Sequence, residues 1–456
     1  MRKALFVVCA LAACCAVADY QPSWESLNSR PCPQWWKDAK FGIFIHWGIY
    51  AVPAYAPTGG DGIYNKYSEH YWNRLRHQNK DFVEHHKKYY PGKSYQDFAT
   101  EFTCEYFDPV KWASVLKKSG AKYVVLTSKH HEGFSLWPSK TNPRWNAVAL
   151  GPHRDLLGDL TKAVKDAGLR MGYYYSLLEW DNPLYTKETI ERYVQEVNIP
   201  QLKELVLNYR PDIVWTDGEW DFTYDKLHSI DFLTWLYNES PVKDSVVTND
   251  RWGKGIRGKC GDHYTTEYDQ MDGDTKGTRF SHPWEECRGI GGSFGFNQFE
   301  EPHDYMTAAQ CVEMLVEKVA RGGNLLLNIG PQANGLIPVI MQERLLQMGS
   351  WLAVNGEAIY ETTQWEKHPG AKEMRASHVY YTRKPNALYV ICCAWPQAPL
   401  RIPNAGKGKG VSLLGSTLPV RYEQTDDGTI TITPPSVNPG NMPCEYAWTF
   451  KINLAE

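Results

Sequence analysis

Two carboxylates follow directly on a short apolar run near the middle of the chain. Residues 211–220 read PDIVWTDGEW, so Asp217 ends a β-branched and aromatic segment that is typical of a buried parallel strand. In folds built from parallel strands, the carboxyl ends of the strands carry the chemistry. Asp217 is therefore a candidate for acid–base or nucleophilic work. Taken by itself, this segment is equally consistent with an Asp-Gly turn that has a purely structural role.

Polar clusters also follow the other apolar runs of the first 330 residues. They stand at residues 46–48 (HWG), 129–133 (KHHEG), 173–176 (YYYS), 249–252 (NDRW) and at Glu267. A buried histidine or a loop carboxylate is the commoner fate of any one of them. If the runs are parallel strands, however, the clusters converge on one pocket of histidines, carboxylates and aromatic residues.

The elements that would position these residues alternate between strands and helices. The predicted strands are residues 41–47, 123–128, 171–177, 213–216, 245–248, 264–267, 294–296 and 325–329, and the predicted helices include 108–119, 155–168, 191–208, 232–238 and 307–321. Eight strands alternating with helices predict a (β/α)8-like TIM barrel over residues 19–360. A doubly wound sheet is the alternative, but no GxGxxG motif follows the first strand.

The pattern changes after Tyr360. Short alternating runs, separated by Gly, Pro and Asn, occupy residues 378–382, 387–392, 411–414, 429–433 and 446–452. This pattern predicts a C-terminal antiparallel β-sandwich domain over residues 361–456.

Residues 1–18 are typical of a secretory signal peptide, with basic residues, an apolar run and a small-residue end. Residues 11–14 (LAAC) also resemble a bacterial lipoprotein box, which would place a lipid anchor on Cys14. We expect an exported protein: periplasmic, cell-surface or secreted in a bacterium, and lysosomal or secreted in a eukaryote. No later run is long and apolar enough to be a transmembrane helix.

The composition favours a neutral partner. A net charge of -3 offers no basic surface for nucleic acid. The 18 Trp, 28 Tyr and 15 Phe could stack on the apolar faces of sugars, although most of them must fill the core of a chain this long.

The cysteines and histidines argue against a metal centre. None of the eight cysteines beyond the signal segment has the CxxC spacing of a zinc site, so we expect buried thiols or occasional disulfides. His130 and His131 are adjacent, and on an extended chain their side chains would point to opposite faces and would not share an ion. The pocket therefore fits carboxylate acid–base and nucleophilic chemistry on a hydroxyl-rich substrate, without metal or cofactor.

Long motifs of the sequence resemble the α-L-fucosidases of glycoside hydrolase family 29. They are residues 35–48 (WWKDAKFGIFIHWG), 128–134 (SKHHEGF), 215–220 (WTDGEW), 323–331 (GNLLLNIGP) and 355–360 (NGEAIY). The resemblance covers nearly the whole chain after the signal segment. It implies a (β/α)8-like barrel with a C-terminal β-sandwich, no cofactor, and hydrolysis with retention of configuration. Retention requires two carboxyl groups about 5–5.5 Å apart.

The resemblance assigns the nucleophile and three histidines. Asp217 matches the aspartate that attacks the anomeric carbon and forms a glycosyl-enzyme intermediate. His46, His130 and His131 match histidines that hold the sugar hydroxyls.

Four further positions of the resemblance concern the pocket wall. Trp220 matches an aromatic residue near the fucose, and Tyr175 stands where a Tyr or His lines the pocket. Glu69 matches a hydroxyl-binding glutamate. The tryptophan that usually follows this glutamate is His70 here, which leaves the stacking at that edge open.

Two carboxylates compete for the role of general acid/base. Glu285 matches the position that serves as acid/base in bacterial members, and we favour it. Glu267 closes the sixth predicted strand and has the more usual barrel position. Glu286 is the weaker neighbour, because adjacent side chains diverge on an extended chain.

The sequence thus predicts an exo-acting retaining α-L-fucosidase that removes terminal fucose from glycans. A transfucosylase, which would pass the same intermediate to a sugar acceptor, is an alternative. A fucose-binding, lectin-like protein without catalysis is a second one. Asp217 speaks against the lectin, because a binding protein has no need of a buried nucleophile.

Overall fold

Eight parallel strands form the central sheet of the computed structural model, which describes residues 19–60, 62–269 and 282–455. The predicted signal peptide and Cys14 lie outside the described residues. The strands are β1 Phe41–Ile45, β2 Tyr123–Lys129, β3 Arg170–Ser176, β4 Ile213–Asp217, β5 Val247–Thr248, β6 Tyr264–Glu267, β7 Trp284–Gly289 and β8 Asn324–Ile329.

The strand order is that of a barrel. Hydrogen-bonded neighbours run β5-β4-β3-β2-β1-β8-β7-β6, so the first strand pairs with the eighth. Between the short β5 and β6, the backbone N–H of Asp262 donates to the carbonyl of Thr248 at 3.0 Å and brings the two edges together. The predicted (β/α)8-like fold is confirmed.

The seventh strand differs from the prediction. Residues 294–296 are irregular, and the strand between β6 and β8 is Trp284–Gly289. Its sequence, WEECRG, has one aromatic and no β-branched residue, so its strand signal is weak; pairing on both sides holds it in the sheet. This correction places Glu285 inside a strand.

Helices connect the strands of the barrel and continue into the C-terminal part of the chain. They are α1 Trp24–Asn28, α2 Gln34–Ala39, α3 Tyr71–Arg76, α4 Lys80–Tyr89, α5 Phe98–Glu101, α6 Pro109–Lys118, α7 Leu156–Asp166, α8 Ile190–Tyr193, α9 Ile199–Tyr209, α10 Ser229–Asn238, α11 Ala308–Ala320, α12 Val339–Asn355 and α13 Ala371–Ser377. The start of α6 follows its sequence signals: the Asp108 side chain accepts the N–H groups of Val110 and Lys111, and Pro109 occupies the first turn.

A π-helical turn explains how the chain accommodates Pro200. Residues Val194–Asn198 form this turn between α8 and α9, directly before the proline. Proline lacks an N–H and its ring crowds the preceding turn, so the helix widens locally instead of ending.

The interior of the barrel is packed with side chains from alternate strand positions. They include Phe44, Tyr123, Val125, Tyr174, Ile213, Trp215, Cys287 and Leu326. The Phe44 ring lies 5.0 Å from that of Trp215 and 5.8 Å from that of Tyr174. Phe44, Tyr174 and Trp215 also line the pocket at the carboxyl ends of the strands, so these rings form its floor.

Two antiparallel sheets follow the barrel, as predicted. Their strands are β9 Thr363–Gln364, β10 Val379–Lys384, β11 Ala387–Cys392, β12 Leu400–Ile402, β13 Gly408–Leu413, β14 Arg421–Gln424, β15 Ile430–Thr433 and β16 Trp448–Leu454, in the orders β13-β16-β11-β10-β9 and β12-β15-β14. The Trp351 indole of α12 donates to the carbonyl of Ala447, and the Arg375 guanidinium of α13 binds Glu317 of α11. The sheets are thus anchored to the barrel helices.

The eight described cysteines are free thiols. Within the described parts of the chain, no helix has the length and apolar character needed to cross a membrane.

Candidate active site

A pocket of about 410 Å³ opens at the carboxyl ends of the barrel strands. Its polar lining consists of His46, Glu69, His70, Arg74, His130, His131, Asp217, Arg251, Arg257 and Glu267, and its aromatic lining of Phe44, Tyr64, Tyr67, Tyr174, Trp215, Trp220 and Phe294. Histidines and carboxylates bind hydroxyl groups, and aromatic rings pack against apolar sugar faces. The predicted convergence of the strand ends is observed.

Asp217 ends β4 and is held from three sides. Its Oδ1 accepts a hydrogen bond from Arg251 Nη1 at 2.7 Å, its Oδ2 accepts one from the Tyr174 hydroxyl at 2.8 Å, and His131 Nε2 lies 3.7 Å from Oδ2. Burial alone would raise the pKa of Asp217, but the charge of Arg251 and the hydrogen bonds from Arg251 and Tyr174 outweigh it and hold the pKa well below its usual value. The side chain is therefore an oriented carboxylate over the whole working pH range.

Arg251 connects Asp217 to a second carboxylate. Its Nη2 donates to Glu267 Oε2 at 3.2 Å, while Nη1 holds Asp217. The guanidinium also lies 4.5 Å from the centre of the Trp215 ring. Glu267 Oε1 accepts the hydroxyl of Tyr67 at 2.7 Å. One planar cation thus fixes two carboxylates on one side of the pocket.

The three predicted histidines all line the pocket. His46 Nδ1 pairs with the Asn328 side chain at 2.7 Å, and His131 Nδ1 pairs with the Ser176 hydroxyl at 2.6 Å. Burial, aided by His130, lowers the pKa of both His46 and His131 well below the usual value. These two rings are neutral, and each has a second ring nitrogen left to pair with a sugar hydroxyl.

The prediction that adjacent His130 and His131 diverge is wrong. Their ring centres are 4.2 Å apart and both rings face the pocket. The reason is local: the N–H of Gly133 donates to the carbonyl of His130 at 3.0 Å, and Gly133 adopts φ +80°. The chain has left the strand and turns at this point, so strand alternation no longer applies.

Glu69 and Trp220 complete the predicted lining. The carboxylate of Glu69 accepts the N–H of Gly295 at 2.8 Å and the Ser293 hydroxyl at 3.1 Å, and burial raises its pKa. Trp220 is 42% exposed, and its ring lies 5.2 Å from His131 at the rim. It is placed to cover one face of a bound sugar.

The placement of Tyr175 in the pocket is wrong. Its hydroxyl donates to Gln201 at 2.9 Å and accepts from Lys129 at 3.1 Å, behind the sheet. The neighbouring Tyr174 faces the pocket instead and binds Asp217. Successive strand residues point to opposite faces, and a run of three tyrosines gives no sign of which face each one takes.

The preference for Glu285 as the acid/base is also not supported. Glu285 is 1% exposed and lies outside the pocket lining. Its carboxylate accepts the Tyr123 hydroxyl at 2.5 Å and the Trp215 indole N–H at 3.1 Å, beneath the pocket floor. The alternative, Glu267, lines the pocket.

Several residues of the site were missed from the sequence. Arg251 stands in the polar cluster after the fifth strand, and that position at a strand end was the signal that could have found it. Tyr67 and Tyr174 gave no signal among so many aromatic residues. Glu219, two residues after Asp217, is 2% exposed; burial and the charge of Asp217 raise its pKa to about 7.

Two family models match most of the chain, one over the barrel and one over the C-terminal domain. A family model described as "Alpha-L-fucosidase" matches residues 7–357, and one described as "Alpha-L-fucosidase C-terminal domain" matches residues 372–453. An alpha-L-fucosidase of Branchiostoma floridae is 42% identical over 460 residues, which span 98% of this chain and 99% of that protein.

Two solved structures are similar over nearly the whole chain. The Thermotoga maritima alpha-fucosidase in complex with a mechanism-based inhibitor has a TM-score of 0.79 and 36% identity, covering 95% of this chain and 100% of that one. A Bacteroides thetaiotaomicron GH29 alpha-L-fucosidase, trapped as a covalent intermediate with 2-fluoro-fucosyl fluoride, has a TM-score of 0.72 and 26% identity, covering 92% and 95%.

Proposed function

The chain belongs to the alpha-L-fucosidase family, and we propose that it is an exo-acting retaining α-L-fucosidase in which Asp217 is the nucleophile and Glu267 the acid/base. The observation that carries this assignment is the pair of carboxylates on the Arg251 guanidinium, at the edge of a pocket lined by histidines and aromatic rings. The pocket is closed beneath by Phe44 and Trp215, which suits a terminal sugar.

The first step forms a glycosyl-enzyme intermediate. An Asp217 oxygen attacks the anomeric carbon of fucose while the bond to the leaving oxygen breaks, and Glu267 gives its proton to that oxygen. The bonds from Arg251 and Tyr174 keep Asp217 ionised and oriented toward the sugar. A fixed nucleophile gains most of its advantage from orientation.

The second step returns the enzyme to its starting state. Glu267, now a carboxylate, takes a proton from water as the water oxygen attacks the anomeric carbon and releases Asp217. Two displacements at the same carbon leave its configuration unchanged. Tyr67 and Arg251 hold Glu267 in place through both proton transfers.

The remaining pocket residues bind the sugar. His46, His130 and His131, with Glu69, are the hydroxyl-binding group, and Trp220 packs against the apolar face that carries the methyl group. Tyr174 also lines the pocket, and its hydroxyl donates a hydrogen bond to Asp217. These roles follow from the donors and acceptors that face the pocket.

Product analysis tests the proposed function. Purified protein is incubated with an aryl α-L-fucoside and with α1,2-, α1,3/4- and α1,6-fucosylated oligosaccharides, and released fucose is followed by NMR from the first turnover. We expect free fucose whose first-formed anomer is α. Transfer of fucose to an added sugar in place of water would identify a transfucosylase, and binding without release would identify a lectin.

The N-terminal segment supports a second proposal, which concerns location. Residues 1–18 combine basic residues, an apolar run and a small-residue end, and we infer that the chain is exported to act on extracellular, periplasmic or lysosomal glycans. N-terminal sequencing of the mature protein tests this. A new N-terminus after Ala18 indicates a soluble exported enzyme, a lipid-modified Cys14 indicates an anchored one, and an intact Met1 contradicts export.

A further inference from the structure

His70 joins His130 and His131 in a cluster at one side of the pocket. The ring of His70 lies 5.6 Å from that of His131 and 6.0 Å from that of His130. One ring nitrogen from each of the three lies within 4.8 Å of the others. His70 follows the hydroxyl-binding Glu69 and faces the same space as the sugar.

The tautomer of His131 is settled by its neighbours. The Ser176 hydroxyl donates its hydrogen to the carbonyl of Leu178 at 2.6 Å, so Ser176 can only accept from His131 Nδ1 at 2.6 Å. His131 therefore carries its proton on Nδ1, and the lone pair of Nε2 points into the pocket. A ligating histidine usually donates its other ring N–H to an oxygen in this way, which fixes the ring for metal binding.

His130, the neighbour of His131, has a buried ring nitrogen that makes no hydrogen bond to the described residues. Its side chain is 3% exposed, and among the described residues its Nδ1 has no hydrogen-bond partner; Oε2 of Glu132 lies 3.6 Å away. A buried imidazole nitrogen without a partner is costly, and such groups usually have a ligand, ion or water to bind.

We propose that His70, His130 and His131 form a binding site for a divalent transition-metal ion, Zn²⁺ in the first instance, inside the sugar pocket. Imidazole is a preferred ligand of Zn²⁺, and three protein ligands with a fourth position open to water form a common zinc geometry. No step of the hydrolysis uses this ion. Because the three rings face the sugar space, zinc and fucose exclude each other, and zinc inhibits the enzyme.

The observed spacing requires a small adjustment. Zn–N bonds of about 2.0–2.1 Å in a tetrahedral site place the nitrogens about 3.3 Å apart, against the 4.8 Å limit within which they lie here. Ring rotations that move each nitrogen by about an ångström toward the centre of the cluster close this difference. Asp217 is engaged with Arg251 and Tyr174, so water is the fourth ligand.

Calorimetry on the full-length chain tests the site without any substrate. Zn²⁺ is titrated into wild-type protein and into two matched variants, His70→Gln in the cluster and His77→Gln outside it. His77 is an exposed histidine at the end of α3, whose Nδ1 pairs with the Asn73 carbonyl. Loss of an outer partner of a ligand already weakens metal binding by about 10–100-fold, so loss of a ligand should cost at least about 100-fold.

The expected result is one zinc per wild-type chain that His77→Gln retains and His70→Gln loses. Equal zinc binding in the two variants, or no zinc binding to the wild type, would overturn the proposal. Since this titration contains no sugar, its failure leaves the proposed fucosidase activity untouched.

A second measurement does not depend on a variant that folds. Co²⁺ replaces Zn²⁺ in wild-type protein, and its visible absorption reports nitrogen ligation at low coordination number. We expect this absorption band to disappear when L-fucose is added. In a separate assay with an aryl fucoside, we expect Zn²⁺ to be a competitive inhibitor. This part rests on the proposed function; a Co²⁺ band that fucose leaves unchanged places the metal elsewhere and overturns the competition.

Discussion

Two glutamates on neighbouring strands of the barrel have opposite environments. Glu267 is the last residue of β6 and pairs in register with Cys287 of β7, whereas Glu285 lies two residues earlier on β7, beside Thr265. Two residues of a strand span about 7 Å. The Glu267 side chain is 17% exposed and that of Glu285 is 1% exposed. A short distance along one sheet thus separates a carboxylate that lines the pocket from one that does not.

The partners of the two glutamates differ in the same sense. Glu267 is bound by Arg251 and Tyr67, both of which line the pocket. Glu285 is bound by Tyr123 and Trp215, with His263 Nε2 at 3.5 Å; of these three residues, Trp215 alone also lines the pocket. At the carboxyl ends of the strands, charged groups are oriented toward the pocket. Deeper in the barrel, the carboxylate of Glu285 satisfies buried donors.

The largest expected effect is at Asp217. Asp217→Gly removes the proposed nucleophile at the end of β4, and kcat should fall on the order of 10⁴-fold. Azide fits the vacated space and should restore turnover of an aryl fucoside in part, with a fucosyl azide of inverted configuration as product. Circular dichroism checks the fold. Activity within tenfold of wild type would remove Asp217 from the mechanism.

The comparison between the two glutamates gives the next effect. Glu267→Ala should slow cleavage of natural fucosides by about 10²–10⁴-fold and affect the first step on an activated aryl fucoside little, because a good leaving group needs no acid. Azide should then give a fucosyl azide of retained configuration.

Glu285→Ala serves as the matched control. It leaves the buried Tyr123 and Trp215 donors without a partner, which should cost about 1–3 kcal/mol of stability for each group, while folded protein keeps the wild-type ratio of rates on the two substrates. The roles must be exchanged if Glu285→Ala shows the leaving-group dependence and Glu267→Ala does not. If Glu69→Ala shows it, the acid is Glu69.

Glu219 extends the comparison to pH. Its pKa is raised to about 7 from an ordinary 4.5, first by burial and then by Asp217. The folded state thus favours the neutral carboxyl, and the chain should lose on the order of 3 kcal/mol as pH rises from about 4.5 through 7. Glu219→Gln stays neutral, so its Tm should match the wild type at pH 5 and exceed it at pH 8. Parallel Tm curves would contradict the raised pKa.

The smallest expected effect separates two adjacent tyrosines. Tyr174→Phe removes a hydrogen bond to the charged Asp217 and should lower kcat about tenfold. Tyr175→Phe removes bonds to Gln201 and Lys129 behind the sheet and should lower Tm with kcat unchanged. Equal losses of kcat in the two variants would mean that the register of β3 is not as described.

The same residues show how far the sequence could go. Asp217, the histidines and the alternation of strands and helices could be predicted, because strand ends and helix caps have local signals. The side of β3 that Tyr175 takes could not, since three successive tyrosines fit either register. Residues 284–289 contain one aromatic and no β-branched residue, so the strand that pairs with β6 and β8 and buries Glu285 was not predicted.

Covalent trapping tests the central claim most directly. Wild-type protein is incubated with 2-fluoro-fucosyl fluoride, which slows release of the glycosyl-enzyme, and its intact mass and peptide map are measured. The account predicts one 2-fluoro-fucosyl group per chain, on the peptide that contains Asp217, and equal labelling of Glu285→Ala. A label on Glu69 or Glu267, or no label on an active enzyme, would contradict it.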